Sequence, residues 1–365
     1  MKVIYVSSYV TDLQKNLLKA LGQAGIPNKL FAYSLRTNAY RYEKIENEIF
    51  YQCKSRCRGP LLYINRLNRV CRAFAGEPDL LDADLLHANM MSAEGYICRR
   101  LSEKRNIPYV VSVRNTDIHL WFLWRLPWIK RLCYRNLLHA KAIVFLSRSY
   151  VEKLLEKFPA EKREPLRSKC VIVPNGIDDF WFENLYAGKR ELTDAPIRLI
   201  TAGRIEENKN QLTVVKAIDE LMQKTGRKFV YTVVGDVRDD DMRVQLERFD
   251  FVELKPHMKK EELIYEFRKS DIYIMASHTE TFGLVYAEAM TQGLPVIYTR
   301  GQGFDEQFEE GLVGFSVDSR DVRDIAEGIR KTIERYSLLS SHATEHCEKF
   351  RWSCVAQALK DVYDR

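Results

Sequence analysis

Two glutamates eight positions apart, Glu280 and Glu288, bracket the point where an apolar run ends and a helical pattern begins. The string His278-Thr279-Glu280-Thr281-Phe282-Gly283-Leu284 follows IYIMA and leads into LVYAEAMTQ. The start of a helix offers backbone N–H groups that have no intrahelical acceptor, so the amides of Phe282, Gly283 and Leu284 are placed to meet a phosphate. Glu280 in the loop and Glu288 in the second turn would accept hydrogen bonds from hydroxyls on either side. A carboxylate is the usual partner of ribose hydroxyls in nucleotide sites. An acidic helix start favoured by the helix dipole accounts for the same two residues equally well.

A second cluster supplies positive charge. Ala202-Gly203-Arg204 closes the apolar run IRLITA, and Lys209 stands at the start of the next helical pattern. Gly203 removes a side chain where the strand turns, and Arg204 and Lys209 project beyond it. Two cations beside a helix N-terminus suit a diphosphate. Solvated surface cations are the competing explanation. Val234-Gly235-Asp236 and Lys255-Pro256-His257 end two further apolar runs, and His257 is a candidate contact to a base. Pro174-Asn175-Gly176-Ile177-Asp178 is a tight turn that reads as a hinge.

The elements that must position these groups follow from periodicity. Continuous apolar runs recur at 2–7, 29–33, 84–88, 108–113, 141–146 and 170–173, with helical patterns between several of them. After a polar, charged stretch at 179–196, read as the domain linker, the alternation restarts with runs at 197–202, 228–234, 251–254, 271–276, 295–298 and 314–317. Such alternation specifies parallel sheets covered on both faces. The expected architecture is therefore α/β, with two doubly wound Rossmann-like domains, 1–180 and 181–345, and a C-terminal segment at 346–365. Ligands of such sheets sit at the carboxyl ends of the strands, and a cleft between two such domains is the expected site.

Composition narrows the function classes. The chain has 365 residues, 46% hydrophobic and 29% charged, an ordinary globular mix that argues against disorder and disulfide scaffolds. The N-terminus reads as a first buried strand rather than a signal peptide, and no apolar run is long enough for a transmembrane helix. The eight cysteines have no C-x-x-C spacing and read as reduced and partly buried. Two acidic D-x-D strings, Asp82-Ala83-Asp84 and Asp239-Asp240-Asp241, read as solvated loops, and no metal site is expected.

Charge is uneven. Residues 1–180 carry 30 Lys and Arg against 17 Asp and Glu, a net +13, whereas the remainder carries 27 against 33. The first part therefore faces something anionic. Two stretches carry this feature: Lys54, Arg56, Arg58, Arg66, Arg69 and Arg72 around LLYI, and Trp121, Phe122, Trp124 and Trp128 interleaved with Arg125, Lys130, Arg131 and Arg135. Basic amphipathic helices with tryptophan suit an anionic membrane surface, and packed helices with a solvated face explain them as well. Nucleic acid is not expected, because no recognition module accompanies the pattern.

The string HTETFGLVYAEAMTQGLPVI, with Glu280 and Glu288 separated by seven residues, resembles the signature of family 4 retaining glycosyltransferases of the GT-B fold. AGR followed by Lys209, VVGD, PNGID and IVFLS support the resemblance in order and spacing, which spans essentially the whole chain. It implies that Arg204 and Lys209 bind the donor diphosphate, that Glu280 faces the donor sugar and that Glu288 holds the ribose hydroxyls. It also implies a last helix, Trp352–Tyr363, crossing back to the first domain, and front-face transfer with retention in which the leaving phosphate helps deprotonate the acceptor.

Departures from the family pattern are equally specific. Ser7-Ser8-Tyr9-Val10 stands where many members have a Gly-Gly turn, and Arg114-Asn115, followed by Asp117, stands where many have His-Gly. Asn175, Arg114 and Asp117 join the candidate substrate contacts on that basis. The expected activity is hexosyl transfer from a nucleotide diphosphate sugar, UDP preferred over GDP, to a glycan or lipid-linked hydroxyl. No cofactor is expected. Surface polysaccharide assembly, in the cytoplasm at the inner membrane face, is the expected setting. A nucleotide-sugar epimerase of similar architecture and an inactive nucleotide-sugar-binding scaffold are the alternatives.

Overall fold

The computed structural model describes residues 1–35, 48–52, 60–119 and 126–365. Lys54, Arg56, Arg58, Trp121, Phe122, Trp124 and Arg125 lie outside them. The chain divides into two compact units: 1–176 together with 352–365, and 177–351.

The first unit is built on a seven-stranded sheet in the order β3-β2-β1-β4-β5-β6-β7. Its strands are β1 (Val3–Ser7), β2 (Asn28–Ser34), β3 (Glu48–Gln52), β4 (Leu85–Ala88), β5 (Tyr109–Ser112), β6 (Ala142–Phe145) and β7 (Cys170–Ile172). Every pairing is parallel. Alternate residues of a strand point to opposite faces, and β1 shows the consequence. Ile4 and Val6 enter one core, with α2 (Pro60–Ala75), α3 (Ala93–Arg105) and α4 (Pro127–Leu138). Val3 and Tyr5 enter the other, with Leu17, Leu18 and Leu21 of the amphipathic helix α1 (Asp12–Gln23). That helix starts on a capping box in which Thr11 and Gln14 satisfy each other's amides. Edge strand β3 was not legible in sequence. Its apolar residues are only half-buried, so the continuous run that betrays an inner strand is missing.

The second unit repeats the plan with six parallel strands in the order β10-β9-β8-β11-β12-β13. They are β8 (Ile197–Ala202), β9 (Phe229–Val234), β10 (Val252–Lys255), β11 (Ile272–Met275), β12 (Val296–Thr299) and β13 (Gly314–Val317). Helices α5 (Gln211–Thr225), α6 (Lys260–Lys269), α7 (Leu284–Thr291) and α8 (Val322–Glu334) alternate with them. Strand order reverses between β1 and β4 in the first sheet and between β8 and β11 in the second. Crevices at such reversals, on the carboxyl side, are where doubly wound sheets bind ligands.

The final helix, α9 (Trp352–Asp364), belongs to the first unit, as the crossing-back expectation requires. Its Val355, Leu359 and Val362 pack in the same core as Leu17 and Leu21. Tyr363 is buried at its end, with its hydroxyl 2.9 Å from Tyr5 Oη and 2.7 Å from His87 Nδ1. The Trp352 ring lies against Gly176 so closely that a Cβ there would come within 2.4 Å of it. The chain passes from one unit to the other at 176/177 rather than at 180. The stretch read as linker opens with a helix, Asp179–Glu183, whose Trp181 and Phe182 are buried.

Six cysteines among the described residues are free thiols, and Cys53 and Cys57 lie outside them. No helix among the described residues is long and apolar enough to cross a membrane.

Candidate active site

Strand β8 delivers Gly203 and Arg204 to the carboxyl edge of the second sheet, beside the end of β11, which delivers Glu280. The reversal point thus brings together residues 71 positions apart: Lys209 Nζ lies 2.6 Å from Glu280 Oε2. Both side chains are largely shielded, at 16% and 14% exposure, so the pair is held in place rather than loosely solvated. Arg204 is 58% exposed and pairs with Glu206 at 3.0 Å. The two cations read as projecting beyond the strand end therefore each have a carboxylate partner.

Asn208 fixes the Lys209–Glu280 geometry. Its backbone carbonyl accepts from the His278 amide at 2.9 Å. Its side-chain carbonyl accepts from the Thr279 amide at 3.1 Å, and its side-chain amide donates to the Thr279 carbonyl at 3.0 Å. Three hydrogen bonds thus tie the turn before Lys209 to the loop before Glu280. Sequence reading missed Asn208; the one available signal was a polar residue directly before Lys209. The Glu280 amide in turn donates to Gln302 Oε1 at 3.2 Å.

Phe282 is buried, its ring packed 5.6 Å from that of Phe350, so only its backbone can meet a ligand. Gly283 holds φ at 75°, where a Cβ would fall 2.5 Å from the Tyr286 ring. That turn sets the start of α7, whose first amides, from Leu284 onward, lack intrahelical acceptors.

A cavity of about 600 Å³ opens on this edge, with Gly203, Val234, His257, Trp181 and Glu288 among its walls. A larger hollow of about 730 Å³ lies around Lys2 and Pro27–Leu30, at the amino ends of β1 and β2, the opposite end from where such sheets bind ligands. Glu288 is pushed up to about 7, chiefly by burial and then by the charge of Asp178, while a hydrogen bond from Trp181 and the charge of Lys260 oppose the shift. Asp178 and Lys260 are themselves an ion pair at 2.7 Å. His257 is exposed at the cavity wall. Trp181, Asp178 and Lys260 were not singled out as site residues from sequence.

Arg114, Asn175 and Asp117 lie in the first unit, at the carboxyl edge of its sheet. The Arg114 guanidinium reaches Asn175 Oδ1 and Asn89 Oδ1, each at 3.4 Å. Asp117 is fully buried. Its Oδ2 accepts from the amides of Arg114 at 3.0 Å and Met91 at 3.3 Å. A carboxylate enclosed this way ties the Arg114 backbone to that of Met91. Burial, with Glu94 adding to it, pushes Asp117 up to about 7.

The acidic strings have structural partners: Asp82 pairs with Lys2, and Asp239 caps the helix Asp240–Leu246 through the Met242 amide. Among the described residues no group of three His, Cys, Asp or Glu is arranged to hold a metal ion.

Two doubly wound parallel sheets, joined by a helix that returns to the first, with a charged pocket at the reversal point of the second, define the GT-B class of glycosyltransferases. The profile of Glycosyltransferase Family 4 matches residues 14–179, and that of Glycosyl transferases group 1 matches 184–350. The chain belongs to this family of glycosyltransferases. D-inositol 3-phosphate glycosyltransferase of Corynebacterium jeikeium is 23% identical over 421 aligned positions, covering 100% of this chain and 96% of that protein. Among solved structures, HepE of Anabaena in complex with UDP aligns over 100% of both chains with a TM-score of 0.69 at 15% identity. The apo form of the lipopolysaccharide outer core galactosyltransferase WaaB gives 0.75 at 12% identity, covering 100% of this chain and 99% of that one. At such identities the structural likeness is one of fold.

Proposed function

We propose that this glycosyltransferase moves a sugar, with retention, from a UDP-sugar to a hydroxyl of a glycan or lipid-linked acceptor, in surface polysaccharide assembly at an anionic membrane. The observation that carries this reading is the cavity at the β8/β11 reversal, with Gly203 and Glu288 on its walls and Lys209–Glu280 at the same strand edge. HepE, which shares the fold, has been solved with UDP and with UDP-glucose, which supports UDP over GDP.

Each residue then has a task. Ionised Glu288 accepts hydrogen bonds from the ribose hydroxyls, and His257 borders the base. Arg204, Lys209 and the amides at the start of α7 take up the charge that builds on the leaving diphosphate, which is where preformed donors act most strongly. As the bond from the anomeric carbon to the phosphate oxygen breaks, the bond to the acceptor oxygen forms on the same face. The acceptor proton passes to the departing phosphate. Glu280 faces the sugar and Lys209 fixes its orientation. No cofactor takes part.

Calorimetric titration with UDP, GDP and UDP-glucose tests the donor. UDP and UDP-glucose are expected to bind and GDP to bind at least about tenfold more weakly, a difference of about 1.4 kcal/mol. Equal or tighter binding of GDP overturns the choice of base, and no nucleotide binding overturns the site. Proton NMR of the first-formed product, read at the anomeric carbon, tests retention.

A further inference from the structure

Several helices on the two faces of the first unit's sheet differ in charge. On one, Asp12–Gln23 and α9 mix acids with lysines. On the other, α2 carries Arg66, Arg69 and Arg72 with no acid, and α4 carries Lys130, Arg131 and Arg135 with no acid. Helix α3, which packs against both, ends in Lys104 and Arg105.

These three helices enclose a groove of about 380 Å³. Its apolar lining includes Ile64, Trp128 and Leu132, the buried Arg99 stands in its wall, and Arg100, Arg131 and Arg135 surround its opening. Glu103 is the one acid lining the groove, and it is already shared: Arg99 Nη1 contacts one of its oxygens and Arg100 Nη1 the other, at 2.9 Å. Arg131 and Arg135 have no acidic partner among the described residues. They are exposed and one helical turn apart, a spacing at which like charges repel. An anion seated between them removes that repulsion. Trp128 and Leu126, 38% and 39% exposed, stand at the head of the same helix. Arginine next to exposed tryptophan and leucine is the combination that meets phosphate above and acyl chain below at a membrane surface.

We infer that this groove binds the phosphate head group of an anionic lipid, with Arg100, Arg131 and Arg135 as its ligands and Trp128 set into the acyl boundary. This deepens the proposed function by giving the membrane a specific face of the protein, yet it can fail separately, because the donor pocket lies in the other unit.

The test is sedimentation of the full chain with vesicles of equimolar phosphatidylcholine and phosphatidylglycerol, and with phosphatidylcholine alone. UDP binding is measured in parallel as a check on folding. Wild type is expected to sediment with the mixed vesicles only. R131E/R135E is expected to lose at least about tenfold in partitioning, because two attractive charges become repulsive at an anionic surface. Trp128→Ala is expected to lose less, and both variants should keep UDP binding. Equal binding to phosphatidylcholine, or an R131E/R135E variant that sediments like wild type, overturns the inference. So does displacement by inorganic phosphate, which would mark a site for free phosphate, or tighter binding to a single-stranded oligonucleotide. Loss of UDP binding by wild type, with vesicle binding intact, would instead refute the donor reading alone.

Discussion

The carboxyl edges of the two sheets share a topology and treat charge in opposite ways. In the second unit acid meets base: Arg204, paired with Glu206, is exposed and Lys209–Glu280 is shielded, and on the proposed function an incoming diphosphate rearranges both pairs. In the first unit the acids at that edge are enclosed. Asp117 is fully buried on two amides, and Glu94, also buried, accepts from the amide and hydroxyl of Ser8 at 2.9 and 2.6 Å. His87, stacked on Tyr5, is pushed down to about 3 by burial and stays neutral. One edge is arranged to exchange partners, the other to hold its loops still. Matching strand order over six strands therefore does not dictate how deeply an edge places its charges.

The largest expected effect tests the exchangeable edge. On the proposed function Lys209→Ala removes both a phosphate ligand and the counter-ion of Glu280, and should lower kcat by about 10²–10³. A variant with near-normal turnover would remove the distinction between the edges. The converse holds for the rigid edge. Asp117→Ala leaves two buried amides without their acceptor, at about 1–3 kcal/mol each, and should lower Tm clearly. Asp117→Asn keeps an acceptor oxygen and should be far milder in the same melting experiment. If both variants melt like wild type, Asp117 is not the fastener described.

Acidity sharpens the contrast. Glu288 has its folded pKa raised from 4.5 to about 7. Across that window the folded chain holds more protons than the unfolded chain, so stability falls as pH rises, and the loss is complete above the folded value. Glu288→Gln should therefore raise Tm at pH 8 by about 2–4 °C, with the gain fading toward acid. Donor affinity should move the other way. UDP-glucose binding to wild type should strengthen about tenfold between pH 6 and pH 8 as the carboxylate ionises, and Glu288→Gln should show no such slope. The smallest effect belongs to Asn208→Ala. It should lower kcat about tenfold, as two hydrogen bonds to Thr279 are lost, and leave KM for the donor nearly unchanged.

Much of the fold was legible because inner parallel strands are apolar on both faces and announce themselves as runs. Edge strand β3 was not, since half of its surface faces outward. At the candidate site, Gly203, Arg204, Lys209, Glu280 and Glu288 could be named because strand ends and helix starts restrict where ligand-facing groups can stand. Asn208, Trp181 and Lys260 could not, because their importance lies in what they touch.

The order of apolar runs and turns determined two doubly wound sheets and the edge on which chemistry would occur, for these depend on local periodicity and chain direction. Which charges meet, which are enclosed and which remain at the surface was decided by packing. Lys209 finds Glu280 across 71 residues only because β8 and β11 are neighbours. Asp117 becomes a fastener of two backbone amides because surrounding chain removes it from water. Solvation, the quantity that gives a carboxylate its role, belongs to the folded molecule and has no counterpart in the order of residues.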